Sequence, residues 1–360
     1  MKTSIFVLII LFVCNMAICG DATTKPELLP PLSVKTEEMV VDLGRVVVRP
    51  LPSGTIQTLV PLRKENQTRV HVFRDHKLKT VLAYPFTLEF VGTPADLSRL
   101  LFTEPGTDPL TGKPDVSYRI IKGDKPGQSR LMRGLTDGEI RWFAPSIPDS
   151  RLLTWTILEP GKGIKEIGIT GSDDKDHDVT LRFGENSPHC ECYLVNDRTG
   201  ELTLAFVDGT LSQEKPAARE TRWTLKPDQI GHKIMAIYRL GNDNILCEHG
   251  NGMTQVNVLT GTITNRFDLK AIRNRAGTGE LCLSPELINM TGQIILEEPN
   301  ATLVIYHRLD QGKLVRLGQH SQLVGSEVRY IPVIDQAGRF HVFSVYRKAG
   351  QLFVEEQRPE

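Results

Sequence analysis

The feature that most limits the fold is a pattern of short, turn-bounded apolar runs filling the chain from Glu38 onward. Met39–Val41, Arg45–Arg49, Thr55–Leu62, Val70–Phe73, Phe86–Val91 and Leu152–Leu158 are rich in Val, Ile, Thr, Phe or Trp. Gly, Pro, Asn or Asp closes them. β-Branched and aromatic side chains fit a pleated, half-buried surface, and runs this short do not make helices of ordinary length. The spacing predicts an all-β, antiparallel protein. Two helical segments are expected against that background. Thr93-Pro94 offers an N-cap with proline at the first helical position, and Leu97, Leu100 and Leu101 follow at helical spacing before Pro105. Asp268–Arg275 reads as two helical turns stopped by Gly277.

A unit recurs in the second half. An alternating strand enters a turn carrying Gly200, Gly261, Gly312 or Gly350, and a second strand leaves at once. Glycine supplies the left-handed backbone that a tight hairpin demands. Lys233–Leu240, Asn244–His249, Met253–Val258 and Thr262–Phe267 read as four consecutive strands, and Leu287–Gly318 reads the same way. Such units resemble the blades of repeat-type β-propellers, whose hairpins often close through a Thr-Gly turn, as at Thr199-Gly200 and Thr260-Gly261. The resemblance covers residues 178–360 and implies a β-propeller-like second half; tandem β-sandwich domains are the alternative. Glu327–Gln357 holds three strands, so ring closure would borrow one from near Met39–Val48.

The expected organisation is a signal peptide at 1–20, a Pro-rich linker at 21–37, a β domain at 38–172 and the repeats at 178–360. The β domain is sandwich-like or made of first blades, and Val41–Val48 resembles the opening strands of immunoglobulin-like periplasmic modules. Lys2, the apolar run Ile5–Val13 and the small residues Ala17, Cys19 and Gly20 make a secretory leader. Its apolar stretch is shorter than a bilayer span, so no transmembrane anchor is expected after cleavage. Ile18 is too bulky for lipoprotein processing at Cys19. The address is secreted, periplasmic or extracellular. Lys plus Arg equals Asp plus Glu at 43 each, without clusters, which excludes a field that would draw nucleic acid.

Export makes the remaining cysteines, Cys190, Cys192, Cys247 and Cys282, candidates for disulfide bonds. Asn66, Asn289 and Asn300 begin glycosylation sequons. Alternate residues of a strand share a face, so Cys190 with Cys192 and Cys247 with His249 would form a soft metal site if their strands met. Disulfides or free core thiols compete with that reading. Asp174, Asp176, Asp178 and Glu185 have calcium-loop spacing, although Val179 stands where the turn glycine belongs. His71, Asp75 and His76 are a weaker cluster read as a surface turn, and His189 reads as a surface residue. Asp243, Glu248 and His249 beside Gly250-Asn251-Gly252 would lie on a propeller's loop face. Trp142, Trp155 and Trp223 sit in apolar strands and read as core.

No G-x-S-x-G elbow, H-E-x-x-H pair, P-loop or dinucleotide fingerprint occurs in the sequence, and no cofactor is required by it. The catalytic residues of an enzyme are therefore unknown from the sequence, and a binding role is favoured over an enzymatic one. The leading expectation is an exported, non-enzymatic binding or scaffold protein presenting loops on a rigid β frame. A secreted hydrolase, acting on polysaccharide through carboxylates that carry no local motif, is one alternative. A structural component of an envelope or extracellular assembly is another. The expected partner is a protein or carbohydrate outside the cytosol.

Overall fold

A computed structural model describes residues 28–36, 39–107, 112, 114–123, 125–132, 139–143, 153–159, 161–170, 179–184, 188–196, 200–250, 252–321 and 327–357. The expected signal peptide at 1–20 lies outside the described residues. The chain enters through β1 (Leu32–Lys35) and continues as antiparallel meanders. The first is β2 (Val47–Pro50), β3 (Ile56–Lys64), β4 (Gln67–Arg74) and β5 (Lys77–Tyr84). The second is β6 (Glu89–Gly92), β7 (Arg99–Thr107), β8 (Pro114–Lys122) and β9 (Lys125–Met132). Then come β10 (Glu139–Phe143), β11 (Leu153–Glu159), β12 (Gly163–Thr170) and β13 (Val179–Arg182). β14 (Cys190–Val195), β15 (Leu202–Phe206), β16 (Leu211–Lys215) and β17 (Glu220–Leu225) lead into helix α1 (Pro227–Ile230).

After α1 follow β18 (Ile234–Leu240), β19 (Asn244–His249), β20 (Gly252–Asn257) and β21 (Ile263–Asp268). Helix α2 (Leu269–Ala276) precedes β22 (Cys282–Leu283), and α3 (Pro285–Thr291) precedes β23 (Ile295–Pro299), β24 (Leu303–Asp310) and β25 (Lys313–Ser321). β26 (Arg329–Ile334), β27 (Phe340–Lys348) and β28 (Gln351–Gln357) are the last described strands. Among the described residues these pair into five separate four-stranded sheets and one eight-stranded sheet. The large sheet is two meanders, β10–β13 and β14–β17, joined at one registered pair, Ile164 with Cys190. No helix among the described residues is long and apolar enough to cross a membrane.

The apolar core lies between the faces of successive sheets. Leu246 and Met253 share a cluster with Leu296 and Tyr306 of the next sheet. Ala205 and Leu211 pack with Ile237 and Ile245. Val60 and Leu62 of β3 pack with Val333, Phe343 and Val354 near the other end of the chain. Four-stranded units packed face to face, with first and last in contact, are a β-propeller. The hairpin glycines behave as the sequence requires, with φ of 66° at Gly200, 70° at Gly261, 76° at Gly312 and 73° at Gly350.

Ring closure differs from expectation in the strand that performs it. β1 pairs with β28 from Leu32 opposite Val354 to Lys35 opposite Gln351, so the closing strand comes from the Pro-rich segment. The Met39–Val48 region instead forms a 3-10 turn at Leu43–Arg45 and leads into β2, the first strand of its own sheet. An outer strand tolerates nearby prolines because it gives up no inner hydrogen bonds. Arg329 fastens the two ends: its Nη1 donates to the carbonyls of Leu43, Gly44 and Val46 at 3.0, 2.9 and 2.7 Å.

Of the two helical expectations, one holds and one does not. α2 forms where expected. Asp268 caps it by accepting from the Ala271 N–H at 3.0 Å, and Gly277 ends it at φ 68°. The Leu97–Leu101 segment does not become a helix; Arg99–Thr107 is β7. Leu100, Leu101 and Phe102 are all fully buried, so this strand is covered on both faces and its continuous apolar run mimics helical spacing. Conversely, Leu287 and Ile288 lie in α3 rather than in a strand, because Pro285 starts that helix and Gly292 stops it at φ 64°.

A candidate binding groove between two blades

The sequence-derived sites separate once the strands pair. A β-bulge between Cys190 and Cys192 places Cys190 opposite Phe206 and Cys192 opposite Ala205, breaking the alternation that would put both thiols on one face. Cys190 is buried with Ile164 and Ile167. Cys192 packs instead beside Cys247 in the cluster on the other side of the sheet. His249 turns its Nε2 to Thr254 Oγ1 at 3.1 Å, and its ring stacks on His232 at 4.8 Å. Among the described residues no group of three or more His, Cys, Asp or Glu gathers in metal-binding geometry.

Cys190, Cys192, Cys247 and Cys282 are free thiols, the second of the two competing readings, and no disulfide occurs among the described residues. Burial pushes Cys190 and Cys247 well above the ordinary thiol range. Burial first, then Glu191 and Glu248, pushes Cys192 up to about 12. Cys282 is exposed yet also raised, by partial burial and then Glu297, Glu280 and Glu248. Protonated thiols are poor metal ligands and slow to oxidise.

Asp174, Asp176, Asp178 and Glu185 lie outside the described residues. Of the sequon asparagines, Asn66 and Asn300 occupy exposed turns, with Asn300 Oδ1 accepting from the Leu303 N–H at 2.8 Å. Asn289 sits within α3 with its Oδ1 buried and unpartnered. Asp75 and His76 have φ of 46° and 60° and form the β4–β5 turn. Asp75 accepts from the Ile56 N–H at 2.9 Å, and buried His76 approaches the Pro30 carbonyl at 2.5 Å. His189 is largely covered and meets Glu159 at 3.1 Å. The expected Asp243, Glu248 and His249 set divides between two ends of its sheet: Asp243 is in the β18–β19 turn, whereas His249 is at the β19–β20 turn. Glu248 accepts from the Tyr238 hydroxyl at 2.6 Å. Trp155 is core, packed over Gly168, and Trp223 donates to the Val258 carbonyl at 2.7 Å; the side chain of Trp142 lies outside what is described.

A groove of about 880 Å³ opens instead between the β18–β21 sheet and the β22–β25 sheet, beneath α2. Buried Leu240, Ile272, Ile294 and Leu309 form its apolar floor. Gln255 of β20 pairs directly with Asn265 of β21, and both line the wall. Asn244 and Gln311 add two more amides. Asn244, Gln255 and Gln311 line the groove, and their side chains make no hydrogen bond with any described residue. At one end the sheets touch: the Gly241 N–H donates to the Gly292 carbonyl at 3.1 Å. A Cβ at Gly292 would fall 2.6 Å from the Gly241 nitrogen, so glycine is what allows this approach.

The groove's charge comes from Arg266, Arg275 and Asp268. Asp268 is engaged as the cap of α2. Arg266 is partly engaged, donating to the Ile230 carbonyl at 2.8 Å and to that of Gln229. Arg275 lines the groove and donates through Nε to the Ala271 carbonyl of its own helix at 3.4 Å, with no ion pair to any described residue. Amides over an apolar floor, with one available cation, can orient a ligand by hydrogen bonding and hold it by burial. The sequence signal for this site was an amide in the apolar phase of a strand: Gln255 lies in step with fully buried Met253.

No protein-family model matches the chain, and no curated protein matches it. Among solved structures, the chain is similar to one in the crystal structure of a mitotic checkpoint complex, at 14% identity, covering 98% of this chain and 99% of that one, with a TM-score of 0.45. It is also similar to the β-propeller domain of Cps50 (Swd1) from Myceliophteria thermophila, at 10% identity, 89% and 100% coverage and a TM-score of 0.47. A third likeness is the WD40 domain of coronin from Toxoplasma gondii, at 10% identity, 93% and 88% coverage and a TM-score of 0.44. Strand pairing, not these likenesses, establishes the fold here.

Proposed function

We propose that this chain is an exported, non-enzymatic binding protein that presents the groove between the β18–β21 and β22–β25 sheets on a closed propeller frame. The groove carries the reading. It combines a buried apolar floor with three amide side chains that make no hydrogen bond to a described residue and one arginine whose recorded bond is to its own helix. The leader residues Lys2 and Ile5–Val13 support the address. A hydrolase reading has less support, because the His–carboxylate contacts His189–Glu159, His307–Glu298 and His341–Glu356 serve other parts of the molecule and none borders the groove.

The test is site-specific photocrosslinking in the full chain, secreted from a eukaryotic host and incubated with extracellular fluid. A crosslinker at Gln311 should capture one predominant species, while one at Lys79 on exposed β5 should not. Intact mass should show loss of the leader. Equal capture from both positions, or turnover of the captured species, contradicts this function.

A further inference from the structure

We infer that the groove takes an extended peptide segment bearing a carboxylate, its main chain read by Asn244, Gln255 and Gln311 and its carboxylate held by Arg275. This rests on the groove being the binding site and adds the class of ligand.

Charge complementarity is the first argument. The chain is neutral overall, yet the groove and its covering helix are not. α2 contributes Lys270, Arg273 and Arg275 and holds no acid within its span. The one lining carboxylate, Asp268, is taken up by the helix cap. An anion arriving here meets Arg275 without first displacing an ion-pair partner among the described residues.

The amides supply the second argument. Each Asn or Gln side chain offers both a donor and an acceptor, which is the complement of a peptide unit. Those of Asn244, Gln255 and Gln311 come from the two opposing sheets, so an extended segment laid between them meets a pair from one wall and one from the other. Leu240, Ile294 and Leu309 beneath accept an apolar side chain between the polar contacts. An acidic polysaccharide fits less well. Sugar rings bind on exposed aromatic faces, and the groove's Phe267 is half-buried against the core between the sheets.

Selection from a random peptide library on the immobilised full chain tests this. Wild type should enrich sequences carrying Asp or Glu, and Arg275→Gln should weaken the selected peptides at least about tenfold, as loss of a charge-assisted contact does. Arg275→Lys should restore part of that loss, and circular dichroism should show both variants folded. Hydrogen exchange should place protection at residues 252–268 and 303–314. Peptides that protect these residues but carry no acid, or bind Arg275→Gln equally well, overturn the ligand class and leave the groove standing. Protection there by polygalacturonate in preference to peptide also overturns the class. Ligands that protect only other residues overturn the class and the groove together.

Discussion

His341 holds its Nδ1 2.6 Å from Glu356 Oε1, in the sheet that closes the ring. On its other side Nε2 lies 3.3 Å from Asp335 Oδ2. Both carboxylates are almost fully covered, and Arg339 donates to Asp335 at 2.7 Å. Glu356 accepts the Leu29 N–H at 2.8 Å, and nearby His76 approaches the Pro30 carbonyl, so the network grips the chain just before β1. The ionic set and the closing strand are one device.

Its pH dependence follows from the shifts. Hydrogen bonding to Glu356 is the largest influence on His341 and raises it above the ordinary imidazole range, despite burial. Its stabilisation is complete below about pH 6.5 and is lost as pH rises through the raised value. Burial would raise Asp335 and Glu356, but their hydrogen bonds outweigh it and hold both below the ordinary carboxylate range. Their stabilisation is present above about pH 4 and is lost on acidification. His249 and His320, lowered chiefly by burial, act oppositely below about pH 6.5, so the comparison must be with a variant. His341→Ala should cost about 3 kcal/mol near pH 5.5, because it leaves covered Glu356 without its ionic partner and Asp335 with Arg339 alone. The Tm gap between wild type and variant should narrow toward pH 9 and toward pH 3. A gap independent of pH contradicts the ionic account.

Removal of β1 isolates ring closure itself. A chain beginning after Lys35 loses the pairs from Leu32–Val354 to Lys35–Gln351 and exposes β28 as an edge. It should unfold at lower denaturant and associate through that edge. A monomer of unchanged stability in ultracentrifugation and urea titration contradicts the closing role.

Gly168 tests the packing of the eight-stranded sheet. It pairs directly with Trp155, whose indole lies so close that an alanine Cβ would fall 1.8 Å from Trp155 Cε2. Gly168→Ala should destabilise by about 2 kcal/mol and shift tryptophan fluorescence as the ring is displaced. An unchanged urea midpoint contradicts that placement.

Thiol reactivity checks the cysteine assignments. Peptide mapping after native alkylation should find label at exposed Cys282, accelerating as pH rises and the thiolate forms. Cys190 and Cys247, buried in separate clusters, should label only after unfolding. Native labelling of Cys190, or a disulfide found without reduction, contradicts the free-thiol core.

Legibility in the sequence followed local periodicity. The β18–β21 meander was readable nearly to the residue, because each short β-type run is bounded by a turn carrying Gly, Asn or Asp. β7 was not, since burial on both faces erases the alternation and leaves Leu100, Leu101 and Phe102 as an undivided apolar run. β1 was hidden because its partner lies at the opposite end of the chain, a pairing that no local pattern encodes. The facing of Cys190 and Cys192 was not legible, because the bulge at Glu191 breaks the alternation and sends the two thiols to separate clusters. The groove was the least legible feature. Gln255 and Gln311 belong to different sheets, and only the ring brings them across one opening.

Isothermal titration of a library-selected acidic peptide, at low and high salt, reaches the central claim most directly. The account predicts that wild type binds at least about tenfold more tightly than Arg275→Gln at low salt, with the advantage shrinking as salt screens the contact. Equal affinity of the two proteins at both salt concentrations would contradict it.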